Sequence, residues 1–105
     1  MLLVIDVGNT NTSYGVFEGG ALLQHVRSES ARARTADEYA VLVRQMLALR
    51  GVDPDKIDSA IIASVVPSLT DTMAELVRRA FSREPLVVGP GIRTGKLEGA
   101  SLLDV

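Results

Sequence analysis

The chain's patterning predicts an α/β fold on a mixed sheet, in the element order β-β-β-α-β-α-β. Three observations carry that expectation. Short runs rich in Val, Leu and Ile come first, parted by turns containing Gly and Asn. Two longer segments with apolar residues at helical spacing come later. Apolar runs stand between and after those segments, so helices and strands alternate in the second half.

Leu2 to Val7 is nearly continuous in apolar residues and reads as a strand buried on both faces. A turn over Gly8 to Thr12 leads into a second strand, Ser13 to Phe17. Gly19-Gly20 marks a tight turn, and Ala21 to Val26 is a third strand closing an antiparallel meander. Ser28 to Arg34 is polar and reads as a loop. Thr35 and Glu38 stand at capping-box spacing and start a helix over Ala36 to Arg50. Its apolar positions are Tyr39, Leu42, Val43, Met46 and Leu47, and Gly51 suits the residue just past its end.

Asp53-Pro54-Asp55 is a turn, and SAIIASVV (Ser59 to Val66) is a buried strand stopped by Pro67. Ser68 is the expected cap of a second helix with the stripe Leu69, Met73, Leu76, Val77, Ala80 and Phe81. Pro85 to Val88 is a short last strand ended by Gly89-Pro90-Gly91. The second half is expected to form parallel, right-handed crossovers. This is the element order of a ribonuclease-H-like domain. Residues 1–95 form that domain, and 96–105 are a tail without a readable pattern.

Eleven basic and 13 acidic side chains leave a net charge of −2, which gives no general attraction to nucleic acid or anionic lipid. Without cysteine there is no disulfide frame, thiolate nucleophile or cysteine zinc site. MLLVI is too short for a signal-peptide core, and no run approaches the ~20 apolar residues of a membrane span, so a cytoplasmic protein is expected.

Two nucleotide-binding motifs fail on spacing. Only three residues part Gly91 from Gly95, and Leu97 follows Lys96 where a P-loop needs Ser or Thr. No G-x-G-x-x-G occurs. A different arrangement follows the first strand, where Asp6 ends an apolar run and Gly8, Asn9, Thr10, Asn11, Thr12 and Ser13 come at once. A phosphate cradle needs inward N–H groups and small side chains that permit close approach. Gly8 offers backbone freedom, Thr10 and Thr12 hydroxyls, and Asn9 and Asn11 amide donors. Asp6, at the strand's C-terminal end, is placed to hold Mg²⁺. A plain Asx-rich hairpin turn is the competing reading.

DVGNTNTSYGVF resembles the first phosphate motif of the acetate and sugar kinase, heat-shock chaperone and actin superfamily. Within it, D-x-G-N-T-N is most similar to the type III pantothenate kinase family. Three further segments resemble that family in the same order: RTADEY (34–39), ASVVP (63–67) and VGPGIRTG (88–95). The resemblance implies ATP-dependent phosphorylation of the pantothenate hydroxyl, the first step toward coenzyme A. It implies Asp6 as the catalytic-site residue that organises metal and phosphate. Val7, Gly8, Asn9, Thr10, Asn11, Thr12 and Ser13 line the ATP phosphates. It also implies Mg²⁺, a monovalent cation (K⁺ or NH₄⁺) and a homodimer.

The resemblance stops at Gly95. The family continues with D-N-P and then G-A-D-R, whose aspartate is its general base, whereas KLEGASLLDV stands here. Asp104 is not assigned that role. The nucleotide of this superfamily lies between two domains, and this chain matches one wall.

Two other classes compete. One is a ribonuclease-H-like nuclease or resolvase, with Asp6 and Glu38 as metal ligands, although Ser59 to Val66 carries no acid. The other is a non-catalytic module that binds phosphate or self-associates through an apolar face. His25, the lone histidine, reads as structural, as do Tyr39, Met46 and Met73 in their helical stripes. Arg32 and Arg34 read as a solvated loop, and Arg78, Arg79 and Arg83 as surface.

Overall fold

A computed structural model describes residues 1–88. The expected strand end at Gly89-Pro90-Gly91, most of the VGPGIRTG segment and the 96–105 tail lie outside the described residues. The strands are β1 (Leu2–Val7), β2 (Asn11–Glu18), β3 (Ala21–Glu29), β4 (Ser59–Ser64) and β5 (Leu86–Val88). The helices are α1 (Ala36–Leu49) and α2 (Pro67–Phe81), with a single 3₁₀ turn over Pro54–Lys56. The β-β-β-α-β-α-β order is the expected one.

The strands form one sheet in the order β3-β2-β1-β4-β5. The meander β1-β2-β3 is antiparallel, while β1-β4 and β4-β5 are parallel. Strand alternation sends Leu3, Ile5, Val7, Tyr14, Val16 and Ile62 to one face, where they pack under Tyr39, Val43 and Leu47 of α1 and Leu69, Met73 and Val77 of α2. On the other face Val4 and Phe17 form a smaller cluster with the partly buried Leu2 and Leu22.

α1 begins as its spacing predicts. The Thr35 hydroxyl accepts from the Glu38 N–H at 3.1 Å, and the Glu38 carboxylate accepts from the Thr35 N–H at 2.8 Å. The helix ends at Leu49 with Arg50 as its C-cap, and Gly51 follows with φ of +83°. Arg44 ties α1 to its neighbours. It donates to the Ala80 carbonyl at the end of α2 at 2.7 Å and to Asp55 at 2.8 Å. Arg78 and Arg79 lie on the surface in ion pairs with Glu75, Glu84 and Asp37.

Four boundaries differ from the expected ones by two or more residues. β2 starts at Asn11 rather than Ser13, because Thr12 already pairs with Val7 and Ser28. β3 accordingly runs on to Glu29. β4 stops at Ser64, where the Ser64 hydroxyl captures the Val66 N–H at 3.0 Å and bends the chain off the sheet. Ser68 does not cap α2. Pro67 is the first helical residue, where its missing N–H costs nothing and its φ is preset for the helix, and Val66 is the cap, whose apolar side chain makes no capping bond.

Removing the reciprocal cap of α1 is expected to cost about 1 kcal/mol in a Thr35→Ala variant. Chemical denaturation should show it as a lower midpoint with an unchanged slope.

Candidate functional site

β1 and β4 lie side by side and parallel, so their C-terminal ends meet at one edge of the sheet, Val7 opposite Ser64. From β1 the chain turns back antiparallel on one side, while the parallel crossovers continue on the other. Open α/β sheets bind ligands at such a switch point, outside the carboxyl ends of the strands. Two connections leave that point. One is the turn Gly8–Thr10, and the other is the Ser64–Val66 link into the N-terminus of α2.

The turn is held by the Gly8 N–H, which donates to the Asn11 carbonyl at 3.0 Å. A Cβ on Gly8 would lie 2.9 Å from that carbonyl oxygen. Close backbone approach, not left-handed φ, is therefore what requires glycine here, since Gly8 is not among the positive-φ residues. Asn9 and Asn11 likewise keep negative φ. Asn9, Thr10 and Asn11 are exposed, and Asn9 and Thr10 form the turn's tip.

The remaining residues of this stretch divide by face. Val7 and Thr12 are buried toward the helices, whereas Asp6 and Ser13 are neighbours on the opposite face. The Thr12 hydroxyl lies 2.8 Å from the Ser30 hydroxyl. One pair along the same strands, Tyr14 Oη lies 2.8 Å from Ser28 Oγ. Burial pushes the Tyr14 phenol up to about 12, so it stays protonated as a hydrogen-bond partner.

Ser30 was not marked by any sequence signal, yet it contacts both sides of the turn. Its N–H donates to the Thr10 carbonyl at 2.8 Å, and its hydroxyl donates to the Gly8 carbonyl at 2.7 Å. The next residue is anchored to α1, since the Ala31 N–H donates to the buried Tyr39 hydroxyl at 2.8 Å. Tyr39 is thus both a core residue, as expected, and a post for this loop. Arg34 stacks over the Tyr39 ring at 5.0 Å and reaches the Glu29 carbonyl, so it shapes the loop, whereas Arg32 is exposed.

Asp6 is half-buried, and desolvation holds its carboxyl above the usual carboxylate range. No ion pair among the described residues offsets that cost. A carboxylate short of water and of a cation suits a divalent ion held directly or through water. The Glu38 carboxylate is committed to the helix cap, so it does not join Asp6 as the second ligand a nuclease would require.

His25 sits mid-β3 opposite Gly15. Burial, with Arg27 and Arg50 adding, holds its pKa below the ordinary histidine value. Its Nε2 has no hydrogen-bond partner among the described residues. A groove of about 480 Å³ runs along α1, lined by Arg34, Asp37, Glu38, Val41, Leu42 and Gln45, none of them in the turn.

Residues 2–99 match the family model described as type III pantothenate kinase. The chain is 52% identical over 95 residues to the type III pantothenate kinase of Anaeromyxobacter dehalogenans and 50% identical to that of Myxococcus xanthus. Each alignment covers 90% of this chain and 37% of the relative, so the chain spans little more than a third of those proteins' length. Among solved structures it resembles a ROK hexokinase from Thermus thermophilus, with TM-score 0.63 and 16% identity over 84% of this chain and 34% of that one. It also resembles a protein assigned as an N-acetylglucosamine kinase from Porphyromonas gingivalis, with TM-score 0.62 and 18% identity over 85% and 34%. At those identities the likeness shows the fold alone, an actin-like, ribonuclease-H-like α/β domain.

Two outcomes test the site's geometry. The pKa of Asp6 is raised on folding, so the folded chain holds this proton more tightly than the unfolded one. The resulting penalty is absent below the unfolded value of 3.8 and complete once pH exceeds the raised folded value. Asp6→Asn should therefore raise Tm at neutral pH and leave it unchanged below about pH 3; a lower Tm at neutral pH would refute the desolvation account. Gly8→Ala should cost about 1–3 kcal/mol by calorimetry, because its methyl group must displace backbone.

Proposed function

This chain belongs to the type III pantothenate kinase family, and on that premise we propose that it supplies the phosphate-binding wall of an ATP-dependent pantothenate kinase. The observation that carries the reading is the exposed turn Gly8–Thr10 at the switch point, with the desolvated Asp6, which has no ion-pair partner among the described residues, two residues before it. Residues 1–95 act as the N-terminal phosphate-binding domain. The N–H groups of the turn receive the ATP phosphates, with the side chains of Asn9, Thr10 and Asn11 at its rim. Val7, Thr12 and Ser13 flank the turn and hold it in place. Gly8 lets the backbone approach closely.

Asp6 is the residue placed to hold Mg²⁺, which when bound with ATP neutralises charge on the phosphates. Asp6 is not itself the base that takes the proton from the pantothenate hydroxyl, and no residue of this chain is assigned that role. A monovalent cation (K⁺ or NH₄⁺), a homodimer and a cytoplasmic location complete the proposal. No helix among the described residues is long and apolar enough to cross a membrane.

A second reading concerns the chain in isolation, which binds phosphate or self-associates without turning over substrate. The exposed apolar side chains Val65 (59%), Leu86 (61%) and Val87 (44%) favour it. Light scattering on the isolated chain separates the readings, since a monodisperse monomer at high concentration counts against self-association.

The full-length protein carrying this segment should transfer phosphate from ATP to pantothenate, with activity rising on addition of K⁺ or NH₄⁺. Asp6→Asn should lower kcat/KM by about a hundredfold or more. Wild-type turnover by that variant would remove Asp6 from the site.

A further inference from the structure

Three hydrogen bonds converge on Ser30. Its hydroxyl donates to the Gly8 carbonyl at 2.7 Å, and its N–H donates to the Thr10 carbonyl at 2.8 Å. Because the Ser30 proton is committed to Gly8, the buried Thr12 hydroxyl is the donor in the 2.8 Å contact with Ser30 Oγ. One residue thus grips both arms of a single turn, the Gly8 carbonyl with its side chain and the Thr10 carbonyl with its backbone N–H.

The consequence follows from peptide geometry. In a trans peptide the C=O and the next N–H point in opposite directions. Drawing the Gly8 and Thr10 oxygens toward Ser30 therefore turns the Asn9 and Asn11 N–H groups the other way. The preceding peptide is spoken for at both ends. The Val7 carbonyl accepts from the Val65 N–H at 3.2 Å, and the Gly8 N–H donates to Asn11. The Asn9 and Thr10 N–H groups have no acceptor among the described residues, and both residues are exposed. A turn with either gripped peptide flipped would present a carbonyl oxygen, which repels an anion.

We propose that Ser30 is a positioning residue for the phosphate turn: it holds the Gly8 and Thr10 carbonyls back so that the turn presents N–H groups to a polyphosphate. Ser30 is itself fixed through Ala31, whose N–H donates to Tyr39 of α1. The loop after β3 therefore sets the anion affinity of the loop after β1. This rests on the reading of the turn as the ATP-phosphate site.

The test uses the full-length protein with Ser30→Ala, Ser30→Thr, Ser30→Cys and Tyr14→Phe variants. Tyr14→Phe removes the neighbouring Tyr14–Ser28 hydroxyl pair, which does not touch the turn. Ser30→Ala should raise KM for ATP about tenfold and leave KM for pantothenate unchanged. Ser30→Thr should restore the wild-type value, and Tyr14→Phe should lower Tm without changing KM for ATP. Should Ser30→Ala fail to fold, Ser30→Cys, a weaker donor of similar size, should still raise KM for ATP.

A second readout does not depend on pantothenate. Tripolyphosphate should shift the Asn9 and Asn11 amide resonances of the wild type, with affinity about tenfold lower in Ser30→Ala. If the wild type binds tripolyphosphate and the Ser30→Ala or Ser30→Cys value stays within twofold, the positioning role is refuted while the site stands. If the wild type neither binds tripolyphosphate nor phosphorylates pantothenate, the reading of the site fails and takes the proposal with it.

Discussion

β1 is hydrogen-bonded along its length to neighbours of opposite sense. Leu2 faces Phe17 on one side and Ser59 on the other, and Val7 faces Thr12 and Ser64. Its inward side chains Leu3, Ile5 and Val7 are essentially inaccessible to water. Full burial of such side chains contributes about 1.5–3 kcal/mol each, so the strand's register resists any slip. That register delivers Asp6 and the turn to a fixed place. It also sets the ends of β1 and β4 level, so that the Val65 N–H closes on the Val7 carbonyl. The site is thus a consequence of how the central strand ends.

A central strand that ends at a sheet edge leaves backbone groups to satisfy, and here nearly all are met by backbone or by hydroxyl. Small hydroxyl side chains take this role because they reach carbonyls without filling the space in front of the turn. Ser64 folds the link to α2, Ser30 holds the β1–β2 turn, and Thr12 orients Ser30. The result is a turn whose exposed donors are backbone N–H groups, a different solution from a glycine-rich P-loop but one that, on the proposed function, would serve the same electrostatic end.

Local chemistry was readable in advance where cause and effect lie within a few residues. The Thr35–Glu38 cap, the stripes of both helices and the Gly19-Gly20 hairpin all came from spacings of four or fewer, and the ordered motifs pointed to the family before any contact was known. Ser30 was not readable, because its bond to Gly8 spans 22 residues and its bond to Thr12 spans 18. In the chain it is one small polar residue in a polar loop. The start of α2 was misread for a related reason. Ser68 has the right type for a cap, but Pro67 takes the first helical position ahead of it. Gly8 was recognised as special, though for backbone freedom rather than for the 2.9 Å approach that only the folded turn creates.

Asp6 decides between the chemical readings. A two-metal nuclease needs several carboxylates converging, and the carboxylate offered as its partner, Glu38, is bound in the cap of α1. A lone desolvated carboxylate is instead matched to a cation that arrives already coordinated by phosphate oxygens. The desolvation that raises its pKa is a cost in the free chain; in the proposed function a bound cation would offset it, so stability would be given up at the point where binding recovers it. The turn works by the same logic with the opposite sign. In the proposed function its N–H groups, exposed when the site is empty, would gain a charged acceptor when polyphosphate docks. On the proposed function, Asp6 and the turn are complementary halves of one recognition problem, the cation and the anion of a metal–nucleotide pair, placed side by side by the end of a single strand.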